Sequence, residues 1–562
     1  MAGAIRASGM AMGALPDAGA ESLLEDYVGA GIRAFLLPGS LLQRPERLAA
    51  LAALARRRAS EAGLGRALVA LGGGAVPAAA PPPLPGLPGP LGLAAAGERG
   101  LARRTGRLLG GLLAVLGVDL VLAPRLDLAT DPKAPGGILD LFGEDSLRAG
   151  AMAAAYARGM AEGGAAACGL SFPGCGRLVS DGRKGPPLVS YPLERLGGIE
   201  ALPFARAVKA GLPAVLVARV LAPALEPERL PAARSARVVE GRLRTDLGFK
   251  GLVLGGALDE DPEGPGRAAT LGALAGCDLS LALSPAAALE AARALDKALA
   301  SGELPAPRAV VAGRRLEALF SRLPARDAAS PADPAAAGAA ARAFLEGAQA
   351  ARLGERAARR AATAFRAAPP RGPALRAGQP RAGEAQATMA ASTAGGPGEP
   401  APKPRGFPLS APPRLVLVML PPEGGPEGDP GAARSTGFLA ALGEALPGAR
   451  VLSLPADPGP AEAELLAQAA EAAAPGPALA LTCDAHRRPG QESLVHLLEE
   501  SLPEVGVIAL GDPYDAAFFP RAAALGAVYG RGAPAARVAA GLALGTLEAR
   551  GRCPVLVLGL EV

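Results

Sequence analysis

The chain has 562 residues, more than one small hydrophobic core organises, so two or three domains are expected. Half of the residues are apolar, many of them alanine, with only 3% aromatic and no tryptophan; the mean hydropathy of +0.25 comes without any run of roughly 18 apolar residues, Asp119 interrupting Gly111–Pro124, which excludes a spanning helix. The net charge of +5 is arginine interspersed with acids, without the basic block of a nucleic-acid surface, and five scattered cysteines fit neither a disulfide framework nor a zinc site.

In chain order, the first residues carry one arginine and no compact apolar run leading to a cleavage site, so the expected compartment is the cytoplasm. Short apolar runs bounded by Gly or Pro then follow at Ala11–Leu15, Ala34–Pro38, Ala67–Gly72, Val118–Pro124, Cys168–Gly174, Ala214–Val220, Gly251–Gly256 and Leu279–Ser284. Amphipathic stretches lie between them, among them Arg44–Ala62, Glu98–Leu116, Asp145–Glu162 and Leu193–Ala210. Strand and helix alternating through eight such runs predict a (β/α)8 TIM-type barrel over residues 1–345. Gly72-Gly73-Gly74 and Gly110-Gly111 lack phosphate-loop spacing and read as turns, and the Pro-rich Val76–Leu91 as an extended loop.

A helical region is expected to run to about Arg366, and Ala367–Pro413, rich in Ala, Pro, Gly and Arg, reads as a linker. The intermediate unit is thus 346–413. From Arg414 to the end, Leu415–Leu420, Val451–Leu454, Ala478–Thr482, Val505–Gly511 and Ala527–Gly530 alternate with helices such as Ala461–Ala473 and Glu492–Ser501. That pattern predicts a doubly wound α/β sandwich domain over 414–562.

Several segments, in order along nearly the whole chain, resemble family-3 glycoside hydrolases of the bacterial β-N-acetylglucosaminidase, or β-N-acetylhexosaminidase, branch. They are Leu122–Asp127 (LAPRLD), Phe142–Asp145 (FGED), Phe172–Gly174 (FPG), Pro223–Glu226 (PALE), Leu247–Gly251 (LGFKG), Ala275–Leu279 (AGCDL), Asp512–Pro520 (DPYDAAFFP) and Gly551–Val555 (GRCPV). The resemblance implies a barrel plus a C-terminal α/β domain and a carbohydrate-metabolic setting. Asp145 stands where it can cap the helix beginning at Ser146.

Retaining glycosidases need a nucleophilic carboxylate and a proton donor on opposite sides of the glycosidic bond. The resemblance puts the nucleophile at Gly256, within Leu254-Gly255-Gly256-Ala257-Leu258, and glycine has nothing to attack with. It puts the acid/base imidazole at Arg183, which cannot shuttle a proton, while its carboxylate partner survives as Asp181. The sugar-gripping Lys-His pair becomes Leu170-Ser171, a histidine near the sixth strand becomes Arg219, the arginine before FGED becomes Asp140, and the third strand's polar end is Leu71-Gly72-Gly73-Gly74-Ala75.

Only His486 and His496 occur, both in the C-terminal domain; His486 is expected to be exposed on its loop, and His496 to be partly buried or at the surface of its helix. Cys175 lies beside the expected sugar position but lacks a base, and reads as an inert buried thiol. The leading expectation is a pseudoenzyme of the family with a vestigial pocket of Asp127, Asp140, Leu170, Ser171, Cys175, Arg219 and Asp259, taking a small sugar-like ligand without cofactor or metal. One alternative is an active O-glycosyl hydrolase with relocated acids Asp127, Asp181 and Asp259; another is an interaction protein whose apolar mouth is Leu170, Cys175 and Ala257.

Overall fold

A computed structural model describes residues 6–72, 86–87, 89–131, 138–176, 185–327, 330–367, 406–420, 435–557 and 559–561. Eight parallel strands close into a barrel: β1 (Ala11–Ala14), β2 (Ala34–Pro38), β3 (Leu68–Gly72), β4 (Leu120–Val121), β5 (Ala166–Phe172), β6 (Ala214–Val217), β7 (Leu252–Gly255) and β8 (Leu279–Ala282). β8 pairs with β1, so no sheet edge is left open.

The period-two pattern decides which side chains meet. Leu36, Leu68, Ala70, Cys168, Leu170, Leu216, Leu252, Leu254, Leu279 and Leu281 fill the barrel interior. Their sequence neighbours Phe35, Leu37, Val69, Leu71, Val215, Val217 and Val253 pack outward against the helices. Each fully buried leucine contributes roughly 1.5–3 kcal/mol over exposure.

Two local expectations are corrected. Gly110-Gly111 is not a turn but lies inside helix Arg99–Val115, which crosses helix Ser146–Gly163 at backbone contact. A Cβ on Gly106 or Gly110 would collide with the carbonyl oxygens of Tyr156 and Met160, and one on Gly159 or Gly163 with those of Arg103 and Arg107. The stretch Leu193–Ala210 is likewise interrupted: Gly197-Gly198 falls in a five-residue π-helical segment, Leu196–Glu200, between helices Leu193–Arg195 and Leu202–Lys209. Asp145 caps its helix as expected, accepting the Arg148 N–H at 2.9 Å.

The C-terminal sheet has seven strands in the order β11-β10-β12-β13-β14-β9-β15. These are β9 (Thr363–Ala367), β10 (Leu415–Leu420), β11 (Arg450–Pro455), β12 (Ala478–Thr482), β13 (Val505–Ala509), β14 (Ala524–Ala527) and β15 (Leu560–Glu561). β10 to β14 are parallel with helices between them, whereas β9 pairs antiparallel with β14 and β15 antiparallel with β9, making the sheet mixed. The helical region therefore does not reach Arg366: helix Ala348–Ala361 ends and Thr363–Ala367 is strand, where β-branched Thr363 and buried Phe365 gain a ladder and a core. The last expected strand, Ala527–Gly530, begins earlier, at Ala524. Of the expected linker, 368–405 lies outside the described residues, as do 76–85 and Pro88 of the Pro-rich loop; Leu91 of that loop belongs to helix Pro90–Ala96.

Barrel and sheet domain share a core. Leu91, Ala95, Ala129, Ile138 and Leu141 from the barrel cluster with Ala485, Tyr514, Val555 and other residues of the second domain. Backbone bonds Glu144 N to Pro554 O (3.0 Å) and Arg552 N to Ala95 O (2.9 Å) seam the two chain segments. Among the described residues no helix is long and apolar enough to cross a membrane.

Candidate active site

Ligands and chemistry in such barrels belong to the carboxyl ends of the strands. After β4, Asp127 is buried and accepts the Cys175 N–H at 2.6 Å and Arg125 Nε at 3.4 Å, and Arg125 Nη1 lies 3.8 Å from the Asp140 carboxylate. Burial disfavours the Arg125 cation, but Asp127 and Asp140 outweigh it and hold its pKa above the ordinary value. Asp127 and Asp140 thus flank one guanidinium.

At the end of β5, Leu170 and Ser171 are both buried; the Ser171 carbonyl accepts the Gly174 N–H (2.9 Å) and the Cys175 thiol (3.5 Å). Burial, then Asp127 and Glu200, push that thiol's pKa well up, so Cys175 is not a thiolate nucleophile. Glu200 itself was not singled out in the sequence. Its side chain is fully buried, Oε1 accepts Arg195 Nε at 3.0 Å, and Oε2 has no partner among the described residues. Burial raises its pKa, with Asp127 adding to the effect. The available signal was a carboxylate in register with Leu196 and Phe204, at the spacing that buries one helix face.

Past β6, Arg219 gives Nη2 to Glu260 at 2.7 Å, while its buried Nη1 has no partner among the described residues. Past β7, the Gly256 N–H donates to the Val217 carbonyl at 2.9 Å. A Cβ on Gly256 would stand 2.9 Å from the Arg219 backbone nitrogen and 3.1 Å from Val217 O, so the position lacks both a side chain and room for one. Asp259, three residues further along the chain, accepts the N–H groups of Leu283 (2.6 Å) and Ser284 (2.7 Å), which ties it to the end of β8. A small cleft of about 20 Å³, room for roughly one water, lies here, lined among others by Arg219, Arg234, Gly256, Ala257 and Asp261. Asp181, Arg183 and the Gly73-Gly74-Ala75 segment lie outside the described residues.

His486 is not exposed, contrary to expectation. Its ring is buried at the end of β12 because two carboxylates from the end of β13 enclose it: Nδ1 is 2.8 Å from Asp515 Oδ1, and Nε2 is 3.5 Å from Asp512 Oδ2 and accepts Arg487 Nε at 3.0 Å. Burial works against the imidazolium but Asp515 and Asp512 prevail, raising its pKa; burial pushes Asp512 up to about 7 despite His486. Barrel residue Leu139 lies near Gly511 beside this cluster. His496 is half-buried on its helix, 2.9 Å from Glu499.

Residues 83–319 match the Glycosyl hydrolase family 3 N terminal domain. A β-hexosaminidase of Stenotrophomonas maltophilia is 34% identical over 199 residues, 35% of this chain and 58% of that protein; one of Chromobacterium violaceum is 34% identical over 185 residues, 32% of this chain and 51% of that protein. The chain thus spans little more than half the length of these curated relatives. Among solved structures, a glycoside hydrolase family 3 β-N-acetylglucosaminidase from Paenibacillus sp. superimposes with a TM-score of 0.78 over 98% of both chains at 23% identity. A β-glucosidase from Listeria innocua gives 0.72 over 98% of this chain and 74% of that one at 16% identity; both likenesses are of fold. Most of the barrel, residues 83–319, is thus similar in sequence to the N-terminal domain of glycoside hydrolase family 3 and to these hexosaminidases, and the whole described chain has the fold of the family's solved structures.

Proposed function

We propose that this chain is a non-hydrolysing member of the family, a pseudoenzyme whose barrel holds a small sugar-like ligand without cleaving it. The observation that carries the reading is Gly256: at the end of β7 there is no side chain to attack an anomeric carbon, and the backbone of Val217 and Arg219 occupies the space one would need. The neighbouring acids do not replace it. Asp259 is held by two backbone N–H groups and Asp127 by the Cys175 N–H and Arg125, so swinging either toward a substrate breaks charge-assisted hydrogen bonds. Arg219 brings a permanent positive charge to the strand ends, where a proton-transferring group is wanted.

The names of the relatives make an N-acetylated amino sugar the first ligand to try. The purified full chain is incubated with 4-nitrophenyl N-acetyl-β-glucosaminide, and nitrophenol release is followed. The expected rate equals buffer alone; turnover on the order of 1 per second or faster, ordinary for an enzyme, overturns the reading. Thermal melting with N-acetylglucosamine tests the other half, since a ligand bound only by the native state raises the midpoint.

A further inference from the structure

We infer that the flank formed by helices Arg99–Val115 and Ala348–Ala361 is a docking face for the surface of an anionic lipid bilayer. The first helix carries Arg99, Arg103, Arg104 and Arg107 and no acid; the second carries Arg352, Arg356, Arg359 and Arg360 with Glu355. The two lie against each other, Glu98 at the start of the first accepting Arg356 Nη2 at 3.0 Å and Arg360 Nε at 2.6 Å. Eight arginines against these two glutamates leave six positive charges, one more than the +5 of the whole chain, so the remainder of the molecule is nearly neutral. No single stretch of sequence displays this face, because Arg356 is 258 residues from Glu98 along the chain.

Most of that charge reaches solvent. Arg99, Arg104, Arg107 and Arg352 are exposed and have no ion-pair partner among the described residues. The glutamates that pair with the other arginines lie lower: Glu98, Glu355 and, from the adjoining helix Ser146–Gly163, Glu162 have side chains 26–29% exposed, against 44–64% for the arginines they hold. The arrangement also works against the helices themselves. Arg99, Arg103 and Arg107 stand four residues apart, as do Arg352, Arg356 and Arg360, a spacing at which like charges repel, and Arg99 occupies a first turn that favours acids. Local costs of this kind fall where a surface has a use besides folding.

Shape and the edge of the face favour lipid over nucleic acid. Neither helix has an aromatic residue on which bases could stack, and side by side the two span roughly 20 Å, too broad for the roughly 12 Å major groove of DNA. At the far end of the first helix the side chains turn apolar: Val115 is 45% exposed, and Phe344, 38% exposed, reaches Gly111 one turn before it. Arginines that fork onto lipid phosphates, next to apolar side chains that sink below the headgroups, are the two components of peripheral membrane binding. This inference goes beyond the reading of the barrel and does not rest on it.

Cosedimentation of the full chain with sucrose-loaded vesicles tests it, using phosphatidylcholine alone and equal parts of phosphatidylcholine and phosphatidylglycerol. The chain is expected to pellet with the anionic vesicles and to stay in solution with the neutral ones. Arg99→Gln, Arg104→Gln and Arg107→Gln combined are expected to weaken anionic-vesicle binding at least about tenfold, with the melting temperature unchanged or higher because like charges are removed. Arg352→Gln with Arg359→Gln, on the other helix, is expected to weaken binding independently of the first set. Val115→Ser with Phe344→Ser, which keeps every charge, is expected to weaken it several-fold. Absence from the anionic pellet, equal pelleting with neutral vesicles, or unchanged binding in either arginine set or in the apolar pair overturns the assignment. Duplex DNA bound at lower protein concentration than the anionic vesicles gives the face to nucleic acid and overturns it too.

Discussion

Asp119 and Asp278 hold equivalent stations four strands apart on the floor of the barrel, each just before its strand, β4 or β8. Each accepts the N–H of the preceding strand, from Val69 at 3.0 Å and Val253 at 2.9 Å, and each gathers arginines: Arg56, Arg66 and Arg326 around Asp119, Arg244, Arg308 and Arg315 around Asp278. Strand-start positions in such barrels serve stability, and removing the carboxylate strands buried guanidinium groups. Asp119→Ala is expected to cost about 3–5 kcal/mol in urea unfolding and Asp278→Ala a similar amount. A loss under about 1 kcal/mol in both would show that the arginines find water instead.

Helices Arg99–Val115 and Ser146–Gly163 pack as closely as they do because glycine faces backbone on both sides. Gly110→Leu drives a side chain into the Met160 carbonyl and is expected to destabilise by about 1–3 kcal/mol or more, although leucine is the better helix former. Equal or higher stability, read by thermal melting, would mean that the pair separates freely.

That glycine also shows where a sequence is legible. The eight barrel strands could be found because each is a short apolar run between turn residues, and the positions at their ends could be numbered from flanking tags such as FGED and LGFKG. Gly110 looked like a turn because its reason for being glycine is the Met160 carbonyl, some 50 residues away along the chain. β9 was hidden for the same reason: Thr363–Ala367 is strand by virtue of its pairing with β14, about 160 residues later. His486 was misplaced because the carboxylates that bury it, Asp512 and Asp515, arrive from the next strand.

Under the proposed non-hydrolysing reading, placing a carboxylate at Gly256 is expected to yield no glycosidase activity. Gly256→Asp puts a Cβ 2.9 Å from the Arg219 nitrogen, so the β6 end must shift, at an overpacking cost of about 1–3 kcal/mol. The variant is expected to melt lower than the parent and to release no nitrophenol above buffer from the aryl N-acetylglucosaminide. Appreciable turnover by this single variant would show that the rest of the catalytic frame is intact and that only the nucleophile is missing.

The cluster on the second domain sets a pH dependence whose sign can be worked out. Asp512 has a folded pKa of about 7 against 3.8 for the free side chain, so the native state holds a proton the unfolded chain has released, and stability falls as pH rises between those values. The pKa of His486 is raised above 6.5, so its contribution is present below that pH and is lost as pH climbs through the folded value. Both groups therefore push the same way, against the usual behaviour of paired carboxylates. Urea unfolding at pH 5.5 and pH 8 is expected to show lower stability at pH 8, by on the order of 1 kcal/mol or more from these two groups. Asp512→Asn keeps the side chain's shape without its titration and is expected to flatten that difference. An unchanged slope in Asp512→Asn would place the titrating group elsewhere.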